Sequence, residues 1–386
     1  MAKFRALVLA LCTLLTLLLT PVHHAAAASS SPCALTGTTG WMDEGQDTDR
    51  NRFQSPLGTK RVLMLFVDFP DAPADAPTSS YGAQITPAAD WMWQASYGRT
   101  WLAMTQLPRW LRMPQASTTY GFSRGISFEQ HELYVRQAVE AAAPYADFSQ
   151  YDLVYVVPPR TATAITFTPT YVYDPSTAGV TVNGTRIKWA VTFGQDLWYW
   201  GPKIADHETG HTFGLPDLYA YDGPDIHRYV GGWDLMGKVG GPAPEYVGWE
   251  AWKLGWLADG QVACVPGVGQ TTVPLTAVEY VGGTKLVVLK LTDTLAYVVE
   301  SRRAAYADQA PCSTGVLVYR VDTSVQTGQG PVRVMANPGG AGPNGCAGLD
   351  LAAYQAGQTF TDPYWGVRIE VLNGGAYGDT VRATSW

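Results

Sequence analysis

The sequence predicts an α+β fold that closes on a β-rich C-terminal region. Apolar, partly β-branched runs at 61–69 (RVLMLFVDF) and 151–157 (YDLVYVV) read as buried strands on either side of a helical stretch. A second helical segment follows Gly201-Pro202. Beyond residue 261, short runs at 285–291, 297–300 and 316–321 alternate with Gly/Pro loops while helix signals fade.

In chain order, residues 1–28 have the layout of a secretory signal: Lys3 and Arg5, an apolar run over 6–19, Pro21, then small residues. About 15 apolar residues fall short of the roughly 20 that span a bilayer. The expectation is cleavage after Ala27 or Ala28, export, and no membrane contact afterwards. Residues 29–60 are polar and rich in Gly, Ser, Thr and Asp, an irregular lead-in. Residues 61–260 form the first predicted unit and 261–386 the β-rich region. Within the first, 128–143 is predicted helical and ends at Pro144, and 161–191 is a β excursion with an Asn183-Gly184 turn.

Of 386 residues, 46% are hydrophobic, enough for a large core. The formal charge of −7 becomes −9 without Lys3 and Arg5, and no Lys/Arg cluster stands out. That disfavours nucleic acid and anionic membranes as partners. Cys12 falls in the signal, which leaves Cys33, Cys264, Cys312 and Cys346. An even set in an oxidising compartment predicts two disulfides, with Cys312 and Cys346 paired as near neighbours. Cys33 is read as a disulfide partner rather than a thiolate blocking a metal, since no matching motif surrounds it.

The chemistry-bearing motif is His207-Glu208-Thr209-Gly210-His211. Histidines four apart sit one turn, roughly 6 Å, along one helix face, so both imidazoles can reach one zinc ion. Glu208 beside them can take a proton from activated water and return it to the departing amine. With six histidines, HExxH arises by chance about two times in a thousand sequences of this composition. The motif extends to HExxHxxGxxD, where Gly214 can end the helix in a left-handed conformation and Asp217 can supply a third ligand. A loop aspartate bonding its own turn is the competing reading of Asp217. His227, Glu245 and Glu250, the last on a predicted helix, are rivals for the third position. Met236, in Gly232-Trp233-Asp234-Leu235-Met236-Gly237, is expected beneath the histidines as packing. Tyr219, Tyr221, Tyr229 and Tyr246 are candidates for stabilising an oxyanion.

The segments HETGHTFGLPDLY at 207–219 and GGWDLMG at 231–237 resemble the immune inhibitor A family of secreted zinc metallopeptidases. The resemblance extends through VLMLFVDFPD at 62–71, SYGRTW at 96–101, FSQYDLVYVV at 148–157, WEAWKLGWL at 249–257 and VVESRRAAYADQAP at 298–311. It implies a zincin-like catalytic domain, extracellular proteolysis, His207 and His211 as zinc ligands, and Glu208 as the catalytic base. Asp217 follows as the third ligand with less direct support. The family often carries a longer propeptide and additional C-terminal modules, neither of which is evident here. Some members bind calcium, and the acidic loop at 43–49 offers oxygen ligands for it, a solvated loop being the alternative.

The expected function is a secreted zinc metalloendopeptidase acting on proteins or peptides. The alternatives are a secreted carbohydrate-binding protein, suggested by 14 Trp and 21 Tyr, and a catalytically inactive relative.

Overall fold

A computed structural model of the chain describes residues 31–386. The signal segment expected at 1–28 lies outside the described residues. Strand β1 (Gly58–Asp68) is followed by helices α1 (Thr78–Ile85) and α2 (Ala88–Ala95), strand β2 (Thr100–Arg112), helix α3 (Phe128–Ala142) and strand β3 (Leu153–Val157). The excursion expected at 161–191 resolves into β4 (Thr170–Val172), β5 (Val180–Val182), β6 (Thr185–Ile187) and β7 (Trp189–Thr192). Asn183 and Gly184 turn β5 into β6 with φ of 48° and 79°, the pair of left-handed residues that a type I′ hairpin requires.

The first sheet has the order β2-β1-β3-β7-β4; its first four strands are parallel and β4 is an antiparallel edge. Both faces of the parallel part are covered, which explains why β1 and β3 read as continuous apolar runs. Alternation still sorts the side chains. Val62, Met64 and Phe66 point into one core, and Leu63, Leu65 and Val67 into another. Helix α3 packs on the second core through Tyr134, Val135, Ala138 and Val139. Its start is set by a reciprocal cap: Gln130 N donates to Ser127 Oγ at 3.2 Å, and Ser127 N donates to the Gln130 side chain at 3.0 Å. The opposite core receives α2, the short α4 (Leu197–Trp200), α5 (Lys203–Thr212) and α6 (Gly248–Lys253).

The C-terminal region is a β-sandwich. One sheet, ordered β13-β12-β11-β10-β8, contains β8 (Val262–Pro266), β10 (Leu286–Lys290), β11 (Leu295–Arg302), β12 (Gly315–Asp322) and β13 (Val332–Val334). The other, β14-β15-β16-β9, contains β9 (Gly269–Thr276), β14 (Thr359–Asp362), β15 (Val367–Gly375) and β16 (Gly378–Ser385). Val287, Leu289, Val299 and Val318 face the second sheet, while Leu286, Val288, Val298 and Leu317 join the core beneath α5 and α6. The apolar core therefore runs across residue 260, where the sequence suggested a boundary. No helix among the described residues is long and apolar enough to cross a membrane.

Residues 31–57, the irregular lead-in, are tied down. Cys33 is bonded to Cys264 and Cys312 to Cys346, the second being the expected pair. Leu35, Met42 and Phe53 are buried. This strap also reaches the C-terminal end of α5, where helix carbonyls lack partners of their own. Gln54 N donates to Thr212 O at 2.8 Å and the Arg50 guanidinium to Phe213 O at 2.8 Å. Lys253 of α6 adds a bond to Gly214 O at 2.9 Å. Three donors from distant parts of the chain thus fix the end of the helix that carries HExxH.

Candidate metal centre

Helix α5 opens after Pro202 and closes at Gly214, whose φ of 93° confirms the left-handed stop. The chain turns back there, with Leu215 N donating to Gly210 O at 3.1 Å. The turn aims the Leu215 carbonyl at His211, whose Nδ1–H donates to it at 2.8 Å. His207 Nδ1–H donates to the Leu235 carbonyl at 2.9 Å. A carbonyl can only accept, so each Nδ1 carries a proton, and Nε2 is the nitrogen each ring turns toward the other and toward Asp217. Metal-ligating histidines are oriented by this kind of outer bond.

The two Nε2 atoms converge on Asp217. Its Oδ1 lies 3.2 Å from His207 Nε2 and 3.3 Å from His211 Nε2. Although buried, Oδ1 makes a well-formed hydrogen bond with neither. A cation, either a proton on an imidazole or a metal ion shared by all three atoms, offsets the repulsion between acceptors at this spacing. Ligands about 2.0–2.1 Å from a tetrahedral zinc are separated by about 3.3–3.4 Å, so the spacing suits a shared ion. The residues present therefore fit zinc.

Electrostatics in the metal-free chain point the same way. Burial works against charge on His211, but the Asp217 carboxylate outweighs it and pushes the imidazole up to about 9. Burial would likewise raise Asp217, yet His211 and His207 hold its carboxyl well below the usual range. A site that attracts a proton this strongly to neutral imidazole attracts a metal by the same field.

Glu208 is buried beside the two imidazoles, and the candidate ligating atoms of His207, Glu208 and His211 all lie within 4.8 Å of one another. Burial raises its carboxyl to about 6, against the pull of both histidines. Its Oε2 accepts from Thr170 Oγ1 at 2.6 Å, and the same hydroxyl lies 2.8 Å from the Glu208 carbonyl. Thr170 is in β4, so the edge strand of the first sheet fixes the direction of the Glu208 carboxylate.

Met236 lies under α5, as the motif predicted. A Cβ on Gly210 would stand 3.0 Å from Met236 Sδ and 2.7 Å from Tyr246 Oη, so the helix rests on both at its glycine. The loop carrying Met236 is pinned by Asp234, whose carboxylate accepts from Met236 N and Val247 N, each at 2.6 Å.

The rivals for third ligand have other surroundings. His227 donates from Nδ1 to Gly237 O at 2.9 Å. Glu245 is buried among Arg302, Asp308 and Glu279, and Glu250 among Asp234, Glu44 and Lys253. Among the described residues, Asp217 is the carboxylate that pairs with both imidazoles, and neither Glu245 nor Glu250 does. Of the tyrosines, Tyr246 donates to Asp206 O beneath the helix, and Tyr229 packs against Arg228 and Arg333. Tyr219 stacks 6.4 Å from the His207 ring, and Tyr221 donates to Asp217 Oδ2 at 2.6 Å. The acidic loop at 43–49 folds on itself: Asp43 accepts from Thr39 and Gly45, and Asp47 from Gly37.

Sequence reading missed Thr170, the carbonyls of Leu215 and Leu235, and the strap donors Arg50 and Gln54. None belongs to a local motif; each reaches the site only through tertiary structure. No family model matches the chain, and no curated protein matches it significantly.

Proposed function

We propose that the chain is a secreted zinc-dependent metalloendopeptidase of the immune inhibitor A type, with a zincin-like catalytic core. The observation that carries this reading is the approach of Asp217 Oδ1 to 3.2 and 3.3 Å from two oriented Nε2 atoms. His207, His211 and Asp217 would hold the ion. When bound, zinc supplies Lewis-acid activation of water and of the scissile carbonyl.

The chain's own residues supply the rest. Glu208, directed by Thr170, takes the proton of the attacking water and delivers it to the leaving amine. The antiparallel edge strand β4 has β7 on one side only, and an extended peptide can pair with its other edge, passing over Glu208. The Cys33–Cys264 and Cys312–Cys346 disulfides support export to an oxidising compartment. A carbohydrate-binding protein draws less support: Trp41, Trp93, Trp101, Trp200 and Trp386 are exposed, but sugar stacking has no use for the buried cluster of His207, Glu208 and His211.

Casein hydrolysis by the purified chain and its Glu208→Gln variant tests the assignment. The variant should fold, bind zinc and lose hydrolysis; full activity in a folded Glu208→Gln chain would end the proposed role of Glu208.

A further inference from the structure

We propose that the loop between β12 and β13 is a positioning element of the metal centre: Thr327 and Gly328, acting through Tyr221, lock the Asp217 carboxylate in its ligating orientation. The inference rests on the zinc reading above and assigns a task to the C-terminal region.

Four contacts join the loop to the turn that carries Asp217. Asp217 N donates to Thr327 Oγ1 at 2.9 Å, and Gly328 N donates to Asp217 O at 3.0 Å. Tyr221 N donates to Gly328 O at 3.0 Å, and Tyr221 Oη lies 3.2 Å from Thr327 Oγ1. The Tyr221 ring lies against the Gly328 backbone, since a Cβ there would stand 2.3 Å from it; Gly328 also has φ of 71°. No residue with a side chain fits this approach without displacing the ring.

Donor directions follow from the acceptors. Tyr221 O–H points at Asp217 Oδ2, at 2.6 Å, because an ionised carboxylate can only accept. Its oxygen is then free to accept from the Thr327 hydroxyl, which itself accepts from Asp217 N–H. The bonds close a ring that runs from the Asp217 amide through Thr327 and Tyr221 back to the Asp217 carboxylate. Bonds aligned head to tail polarise one another. Holding Oδ2 stops the carboxylate from rotating, and Oδ1 is left facing the two Nε2 atoms. Tyr221 is 59% exposed, so the position of its hydroxyl depends on the loop behind it.

The loop is itself anchored. Asp322 N donates to Pro331 O across its neck at 2.8 Å, Ser324 caps on Asp322, and Thr323 Oγ1 donates to Thr36 O of the strap at 2.6 Å. The β-sandwich thereby completes a centre whose ligands all come from residues 207–217.

The test is zinc affinity, measured by competition with a chromophoric chelator, in the parent chain and in Tyr221→Phe, Thr327→Val, Thr327→Ser and Thr361→Val. Thr361 is exposed on β14 and serves as the control. Outer-shell partners of ligands typically matter 10–100-fold in metal affinity. Tyr221→Phe and Thr327→Val should weaken binding by about that factor with unchanged melting of the zinc-free chain, while Thr327→Ser and Thr361→Val should bind like the parent. A parent that binds zinc alongside folded Tyr221→Phe and Thr327→Val chains of unaltered affinity would overturn the positioning role alone. A parent that takes up no zinc would overturn the metal reading and this inference with it.

Discussion

Replacing Cys33 and Cys264 together by alanine should destabilise the protein and loosen its metal centre, whereas replacing Cys312 and Cys346 should only destabilise it. The first bond closes a loop of 231 residues and the second one of 34. Loop-closure entropy gives an upper bound of about 5 kcal/mol for the first and about 4 kcal/mol for the second. At roughly 0.7 kcal/mol/K of unfolding entropy for a chain of this length, these correspond to about 7 °C and about 5 °C in Tm. The difference in Tm is small; the difference in location is decisive. Cys33 is fully buried and anchors the strap from which Arg50 and Gln54 cap the end of α5, only a few residues after His211. Cys312 and Cys346 join segments that supply none of the three donors to that cap. Differential scanning fluorimetry on zinc-free protein gives the stability loss, and chelator competition gives the affinity. Weakened zinc binding confined to the Cys33/Cys264 variant is the expected result. Equal Tm losses with parent-like zinc affinity in both variants would refute the tethering argument.

Other outcomes follow from single side chains. Thr170→Val removes the hydroxyl that directs Glu208; kcat on casein peptides should fall about tenfold, the equivalent of one hydrogen bond, with KM nearly constant, and Thr170→Ser should retain activity. Gly210→Ala gains about 1 kcal/mol of helix propensity but forces a methyl onto Tyr246 Oη, a clash of about 1–3 kcal/mol, so urea unfolding should show net destabilisation. Burial holds the His131 pKa down at about 3, with the ring bonded to Thr192 Oγ1 at 3.0 Å. The unfolded chain then takes up a proton that the folded one refuses. His131 imposes no cost above about pH 6.5, and stability is lost as pH falls from there toward 3, by about 3 kcal/mol at pH 4. His131→Gln, which stays neutral, should therefore lose less stability than the parent between pH 7 and pH 4; parallel pH profiles would contradict this.

Much of the architecture was legible because it is encoded locally. The strands at β1 and β3 announce themselves as apolar runs because both sheet faces are covered, and α3 by its helix-forming residues and the Pro144 stop. His207, Glu208 and His211 could be grouped from helix periodicity alone, and Gly214 from the need for a left-handed residue. Asp217 was harder, since a short loop permits many directions for a carboxylate; its position depends on Thr327, more than a hundred residues away. The strap over 31–57 looks unstructured in sequence because it is polar and rich in Gly, Ser, Thr and Asp, yet Arg50 and Gln54 within it cap the end of α5. The apparent boundary at residue 260 marks a change from helices to strands, and the shared core shows why composition did not reveal the packing: Leu286, Val288 and Val298 are ordinary strand residues that share one core with residues of α5 and α6.

The most direct test of the account is zinc K-edge absorption on the purified chain, with metal content measured in parallel and Asp217→Ala as the comparison. The account predicts one zinc per chain in a shell of two imidazole nitrogens and oxygen donors, without sulfur, and a weaker, altered shell in Asp217→Ala. A parent chain that binds no stoichiometric zinc, or an identical shell when Asp217 is removed, would contradict it.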